Sequence, residues 1–440
     1  MAPKQEIQDK YKKLDHKEHV LSRPGMYIGS IEEDTYSAWV MDESTGKMAK
    51  RDINIVPGLY KIFDEILVNA IDHCTRLKTQ EATVNNVKNI KITISRENGE
   101  ISVFNDGDGI EIITHPIHNI YIPELIFGNM LTSTNYDDQE EKIIGGQNGI
   151  GAKACNIFSK SFKIETVDAV RKKYYSQTFT DNMSIKSTPT IKAYSKKPFT
   201  TITFTPDYER FKTAGLSDDM YSLFIKRCYD ICALTESDVN IWLNGTKLDI
   251  KTFERYVDLY VGDKAEHPRF YEKINDRWEI VATYSNDIGF DQISFVNGIA
   301  TLKGGKHVDY IANQITKKLA DLVNKRKKST NVTQQNIKNY LLVFVKSTIT
   351  NPTFDSQSKD ALTTPMTKFG SKAEVSDKLI EKLSKTAIID YALNLSETID
   401  AKAAKKTDGK KSARIRGLAK LDDANHAGTV KSKGCTLILT

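Results

Sequence analysis

Within the segment YKIFDEILVNAIDH, Glu65, Asn69 and Asp72 recur at intervals of four and three residues. At helical pitch these positions form one polar stripe on a cylinder whose other faces carry Ile62, Phe63, Ile66, Leu67, Val68 and Ile71. Such a helix is buried on most sides. A buried carboxylate is stable only when it is paired, hydrogen-bonded or set against a ligand. The chain must therefore bring partners to this stripe, or leave it facing water on a surface helix. The stripe alone does not decide between the two.

Two further segments bear on that choice. In EISVFNDGDGIEI the alternation before Asn105 predicts a strand, and Asn105-Asp106-Gly107-Asp108-Gly109 predicts the tight turn that leaves it. Glycines there permit positive φ and close approach of a flat ring, and Asn105 offers both a donor and an acceptor suited to an adenine edge. Next, LTSTNYDDQEEKIIGGQNGIGAKACNIFS supplies the hydroxyl and amide groups of Ser133, Thr134 and Asn135. Its glycines Gly145, Gly146, Gly149 and Gly151 form a loop running into the helical segment AKACNIF. Backbone N–H groups of that loop, with the helix N-terminus and Lys153, would cradle a triphosphate, although a glycine-rich loop alone does not establish phosphate binding. The spacing is not that of a P-loop, which requires GxxxxGK[ST].

In this order, ExxxNxxD, NxGxG and GGxNGxGxK resemble the GHKL (Bergerat) class of ATP-binding domains. That class contains type II topoisomerases, MutL proteins, heat-shock chaperones and sensor histidine kinases. The segments RPGMYIGS, VPGLYKIFDEILVNA, YIPELIFGNMLTSTNYDD, QISFVNGIATLKGGKHVDYI, NPTFDSQSKD and KLDDANHAG narrow the resemblance to the eukaryotic-type DNA topoisomerase II family, from about Tyr11 to Thr440.

The resemblance implies roles at matching positions. Glu65 becomes the general base, and Asn69 the ligand of a Mg2+ ion bridging the phosphates of ATP. Asn105 is the adenine-side contact, while Ser133, Thr134 and Asn135 meet ribose and phosphate. Asp72 and the run Gly146, Gln147, Asn148, Gly149, Ile150, Gly151, Ala152 and Lys153 line the nucleotide. Gln357 and Lys359, in DSQSK, reach the γ-phosphate from a second domain, and Tyr27 reaches the partner subunit's nucleotide. Lys325, Arg326, Lys327 and Lys328 match a basic loop that contacts DNA. Three positions depart from the family pattern: Gln147 replaces an arginine, Ile150 an aromatic residue and His73 an asparagine.

At 440 residues the chain accommodates two or three domains. No run of about twenty apolar residues and no signal peptide is present, so no membrane span is expected. Five scattered cysteines, with no His or Cys pair completing a zinc site near Cys228 and Cys232, fit reduced thiols and core packing. The net charge of +6 is uneven, concentrated at Lys325–Lys328 and across Lys402–Lys420. By composition alone these runs are solvated surface. Read with the resemblance, they suit sequence-blind contact with duplex phosphates.

The expected fold class is α/β (α+β): a GHKL sandwich followed by a transducer domain of ribosomal-protein-like α/β fold. The expected domains are an arm or strap over 1–30, the ATPase domain over 31–245 and the transducer over 246–400. A basic linker over 401–430 and the first strand of a truncated TOPRIM region over 431–440 follow. The segment SDKLIEKLSKTAIIDYALNLSETIDAKAAKK predicts one long amphipathic helix. The implied protein is the ATP-hydrolysing gate of a type II DNA topoisomerase, which forms a homodimer and captures double-stranded DNA, with no DNA-cleavage residues expected within these 440. Its implied location is the nucleus, or a cytoplasmic replication compartment for a viral source. Two alternatives are another GHKL ATPase (MutL-like or chaperone-like) and a DNA clamp that holds ATP without turnover.

Overall fold

The structure, a computed structural model, describes residues 13–79, 85–130, 132, 143, 145–146, 149–326, 332–407, 426 and 429–434. They fall into two compact units. The first holds the described residues up to Thr283 with Gln292–Ala312 and Val343–Val375, and the second holds Tyr284–Asp291, Asn313–Leu342 and those from Ser376 onward.

The first unit opens on helix α1 (His16–Ser22), whose start is fixed by reciprocal bonds between Asp15 and Glu18. Strands β1 (Asp34–Asp42) and β2 (Lys47–Ile55) form a hairpin. The Asp42 carboxylate closes its turn by accepting the Ser44 N–H and the hydroxyls of Ser44 and Thr45. Helix α2 (Pro57–Thr79) follows, with proline at its first position, where no N–H is needed. Its second residue, Gly58, donates its N–H to the Ser30 carbonyl at 2.7 Å. A Cβ there would stand 3.0 Å from both that oxygen and Ile28 Cδ1, so a larger residue would push the arm back by a few tenths of an ångström.

Strands β3 (Asn89–Ile94) and β4 (Ile101–Asp106) precede helices α3 (Ile122–Gly128) and α4 (Gly151–Ile157). After them come β5 (Ser159–Asp168), β6 (Lys173–Thr180), β7 (Ile185–Lys186), β8 (Thr190–Ala193), β9 (Phe199–Pro206), α5 (Asp218–Leu234), β10 (Asn240–Leu243) and β11 (Thr246–Lys247). The strands make one sheet in the order β11-β10-β3-β4-β9-β5-β6-β7, with β8 also on β6. Alternation decides its faces: Ile90, Ile92, Ile101, Val103, Phe162, Ile164, Ile202 and Phe204 are buried. Helices α2, α4 and α5 pack on the sheet, and Phe63 of α2 stacks on Phe224 of α5 at 4.1 Å. This is the α/β sandwich expected from the sequence.

Helix α6 (Phe253–Val261) leads to β12 (Phe270–Asn275), β13 (Trp278–Tyr284), β14 (Asp291–Val296), β15 (Ile299–Ala300) and β16 (Gly304–Gly305). Helix α7 (Lys306–Arg326), α8 (Gln334–Lys338), β17 (Leu341–Ser347) and β18 (Ala361–Leu362) come next. A five-stranded sheet runs β12-β13-β17-β14-β15. The β14–β15 turn is Asn297-Gly298, both at positive φ (50° and 81°), the two-residue hairpin form that suits Asn-Gly. Trp278 is fully buried against Tyr310 and Phe369.

In the second unit, Tyr391 packs its ring against Tyr284 and Tyr340. The single helix expected over Ser376–Lys406 is two: α9 (Asp377–Leu383) and α10 (Ile388–Thr407). The break is local chemistry. The Leu383 carbonyl accepts both the Thr386 N–H at 3.1 Å and the Thr386 hydroxyl at 2.8 Å, a tight turn that competes with the helix ladder at LSKTA.

Gly109 and Gly46 both sit at positive φ, 72° and 65°, in different surroundings. A Cβ at Gly109 would lie 1.9 Å from the Val167 carbonyl oxygen, whereas Gly46 has open space. We expect Gly46→Ala to cost about 1–2 kcal/mol from the left-handed backbone alone. Gly109→Ala should cost at least about 2 kcal/mol more through the clash. Urea unfolding of the two variants measures the difference.

Candidate functional site

Helix α2 buries almost every side chain from Leu59 to Ile71, and Asn69 is the exposed exception. Glu65 retains only 6% exposure. Its Oε1 lies 2.7 Å from the Lys61 Nζ, one helical turn back, and 3.4 Å from the Lys359 Nζ. Lys359 is itself buried and donates to the Gly145 carbonyl at 3.2 Å. Burial works against the charge of Glu65, yet Lys359 and Lys61 together hold its pKa at about 2, below the ordinary 4.5. Burial also depresses Lys359, opposed by Glu65. The lysine is presented from a loop in which it adopts the left-handed backbone, φ 63°.

The glycine-rich segment crosses the polar stripe. Gly145 abuts Val68, Ile299 and the Asn297 carbonyl. Gly145 and Gly146 donate successive N–H groups to the two oxygens of Asp72, at 3.0 and 2.8 Å. A Cβ on Gly146 would stand 3.9 Å from Asn69 Oδ1. At the far end, a Cβ on Gly151 would fall 1.9 Å from Glu65 Oε2, so the first residue of α4 must be glycine for the carboxylate to reach its place. Burial raises the Asp72 pKa to about 6 from 3.8, and the two loop N–H groups only partly offset it. One stripe thus holds a carboxylate pinned in its charged form and another that titrates near neutrality.

Gly149, Ile150, Gly151 and Ala152 are half-buried at the start of α4. Lys153 is buried, and its ammonium donates to the Thr132 carbonyl at 2.7 Å. Loss of water lowers its pKa to about 8. Asn105 is the penultimate residue of β4, buried, its amide donating to the Asp106 carbonyl at 2.8 Å. Asp106 holds the turn by accepting the N–H groups of Lys88 and Asn89. Gly107 backs onto His73, Leu77 and Val87. Burial and the adjacent Arg76 charge lower the His73 pKa to about 4, so the ring is neutral. Arg76 donates to its Nδ1 at 2.7 Å, which leaves the ring proton on Nε2.

The structure therefore gathers Glu65, Asn69, Asp72, Gly146, Gly151 and Lys359 in one place, with Asn105 in the last pair of residues of β4. Gln357 is half-buried in the Lys359 loop. The hydroxyl of Tyr27 lies 2.9 Å from His19 Nδ1 in its own chain. Lys325 and Arg326 are exposed at the end of α7, in the second unit. Ser133, Thr134, Asn135, Gln147, Asn148, Lys327 and Lys328 lie outside the described residues. Sequence reasoning missed Lys61, although a Lys-Glu pair four residues apart is a readable helical signal. It also missed Arg227, fully buried, whose Nε donates to Asp64 Oδ1 at 2.6 Å and whose Nη2 donates to the Gly298 carbonyl at 2.7 Å. No local pattern announces that pair.

Two family profiles match the chain. Residues 54–210 match the histidine kinase-, DNA gyrase B- and HSP90-like ATPase family, and residues 252–415 match DNA gyrase B. The sequence is 46% identical to DNA topoisomerase 2 of Pisum sativum over 100% of this chain and 30% of that protein. It is likewise 46% identical to DNA topoisomerase 2-alpha of Gallus gallus, over 98% of this chain and 28% of that protein. The chain thus spans under a third of the length of these curated relatives. Among solved structures, the ATPase region of Saccharomyces cerevisiae topoisomerase II matches with TM-score 0.82 and 44% identity, over 88% of this chain and 99% of that one. The ATPase and transducer domains of DNA topoisomerase II from Balamuthia mandrillaris match with TM-score 0.83 and 39% identity, over 91% and 100%.

The opposite shifts of the two carboxylates give a pH signature. Glu65 is more acidic in the fold, so its contribution is complete above pH 4.5 and is lost as pH falls toward about 2. Asp72 is less acidic in the fold, so the native state holds the extra proton between pH 3.8 and about 6, and stability declines as pH rises through that window. Asp72→Asn should remove this decline, gaining stability relative to the parent on going from about pH 4 to about pH 7. A parallel slope for both proteins in urea unfolding across that range would contradict the assignment.

Proposed function

Because the chain belongs to the type II DNA topoisomerase family, we propose that it binds and hydrolyses ATP as the gate of such an enzyme, with Glu65 as general base. The observation that carries this reading is the meeting of Glu65 and Lys359 beside Gly145–Gly151. It unites an acceptor for a water proton, a cation for a γ-phosphate and a run of backbone donors for the other phosphates. Phosphoryl transfer demands chiefly positioning and charge neutralisation, which these groups provide.

The two lysines on Glu65 suit a base that is engaged by its own substrate. With both cations beside it the carboxylate is weakly basic. A γ-phosphate competing for Lys359 relieves one of them and raises the basicity of Glu65 toward the range in which general bases work. Asn69 fits a Mg2+ site of the kind that takes few protein ligands and substrate phosphates. Its amide oxygen is hard, and its side chain is exposed on an otherwise buried helix beside Gly146. Bound there, the ion would supply charge neutralisation to the phosphates. Asn105 is assigned to the adenine edge, Gln357 to the γ-phosphate beside Lys359, and Tyr27 to the nucleotide of a partner subunit in an ATP-dependent homodimer.

On this reading the closed dimer captures double-stranded DNA and couples hydrolysis to strand passage, with nuclear location following from the eukaryotic relatives. The basic run Lys325–Lys328 is assigned to duplex phosphates. No helix among the described residues is long and apolar enough to cross a membrane.

Glu65→Gln should lower ATP hydrolysis by roughly 10²–10⁴ while leaving nucleotide binding intact. Steady-state ATPase assays at several protein concentrations test both parts of the proposal. Rates that curve upward with concentration mean turnover in a dimer, and full activity in the variant removes Glu65 from the mechanism. Replacing Lys325, Arg326, Lys327 and Lys328 by alanine should flatten the salt dependence of duplex binding, by about 0.9 in log–log slope for each phosphate that is no longer neutralised. An unchanged slope in a fluorescence-anisotropy titration would place the DNA-binding surface elsewhere.

A further inference from the structure

We infer that Arg227 is a positioning residue for the ATPase site: it ties the helix carrying Glu65 to the β14–β15 turn, and through that turn sets where the Lys359 ammonium stands. The inference rests on the assignment of Glu65 and Lys359 above and adds the element that holds them in register.

The connection is continuous in space. Arg227 is completely buried in α5. Its Nε binds Asp64, the residue immediately before Glu65, and its Nη2 binds the Gly298 carbonyl. Gly298 lies against Ile71 of α2, where a Cβ would come within 3.2 Å. The preceding Asn297 presents its carbonyl to Gly145, where a Cβ would stand 3.1 Å away. Gly145 in turn offers its own carbonyl to Lys359. The Asn297 side chain grips Ile349 in both directions, donating to its carbonyl at 2.9 Å and accepting its N–H at 2.8 Å. Ile349 is where the segment that carries Lys359 departs from β17. One turn therefore presses on the glycine loop and anchors the root of the lysine loop, and Arg227 fixes that turn to the catalytic helix.

The charges around Arg227 suit a fixed strut. Asp64 faces it from α2, and Asp230 lies 3.9 Å from Nη1. Lys226 and the Tyr256 hydroxyl hold Asp230 from the other side, at 2.8 and 2.6 Å. Two cations and two carboxylates balance the charge of the cluster. Nη1 makes no hydrogen bond. The guanidinium alone spans the distance from Asp64 to Gly298, because a lysine ammonium, a point charge, lacks the planar fork.

If Arg227 acts through Lys359, the two residues must be coupled in a double-mutant cycle. The experiment compares hydrolysis at saturating ATP, and ADP affinity, for Arg227→Gln, Lys359→Met and the double variant of the 440-residue chain. The expected result is a loss of kcat in Arg227→Gln similar to that in Lys359→Met, with ADP affinity within about threefold of the parent and a double variant no slower than the slower single one. Losses that multiply, or an Arg227→Gln protein with parental kcat, would overturn the inference. Should Arg227→Gln fail to fold, Arg227→Lys and Gly298→Ala enter the same cycle. They keep the buried charges balanced while disturbing the link to the turn, and the same outcomes decide. Failure of the underlying assignment looks different. Glu65→Gln and Lys359→Met would then hydrolyse ATP at the parental rate, and the inference would fall with it. Loss in those two with no coupling to Arg227 removes only the inference.

Discussion

Neutralisation of one buried carboxylate organises the first unit. Glu65 sits on a helix with no free face for it, and its charge survives only because two ammonium groups meet it there. One comes from Lys61, a turn away, and the other from Lys359, 294 positions along the chain. That long-range pair obliges the segment after β17 to return to α2. It also requires glycine at 151, where the carboxylate occupies the space of a Cβ, while at 145 a Cβ would crowd Val68, Ile299 and the Asn297 carbonyl. Loss of either lysine leaves the buried carboxylate without one of its partners, which costs more than the pair itself contributes.

What the sequence disclosed follows the same physics. The periodicity of YKIFDEILVNAIDH marked α2 and its polar stripe, because helical pitch is a local property. Alternation marked the strands around Asn105, and Gly145–Gly151 marked a loop entering a helix, because glycine answers to local backbone demands. Local pattern could not rank the stripe. Glu65 is buried, Asp72 half-buried and Asn69 exposed, a gradient set by what packs above the helix rather than by α2 itself. Arg227 was invisible for the same reason: nothing near it in sequence distinguishes a buried strut from a surface arginine. The break between α9 and α10 lay in plain view as LSKTA, yet amphipathic spacing outweighed the hydroxyl at Thr386 that ends the helix.

The two carboxylates of the stripe show how one element can carry opposite electrostatic tasks. Glu65 faces ammonium groups and stays charged. Asp72 accepts two peptide N–H groups, and these, even with the more distant charge of Lys359, do not balance its loss of water, so it accepts a proton near neutrality. The difference comes from the partners, since both side chains leave the same helix within two turns.

On the proposed reading, an arriving triphosphate acts on this imbalance in a definite direction. Added negative charge raises the proton affinity of every carboxylate nearby, most strongly where no cation intervenes. At Asp72 that favours the protonated form, which loosens its grip on the N–H groups of Gly145 and Gly146 and releases them for phosphate oxygens. At Glu65 the effect is gentler, because Lys61 remains when Lys359 turns to the phosphate. The stripe thus yields backbone donors at one end and keeps a charged, moderately basic carboxylate at the other.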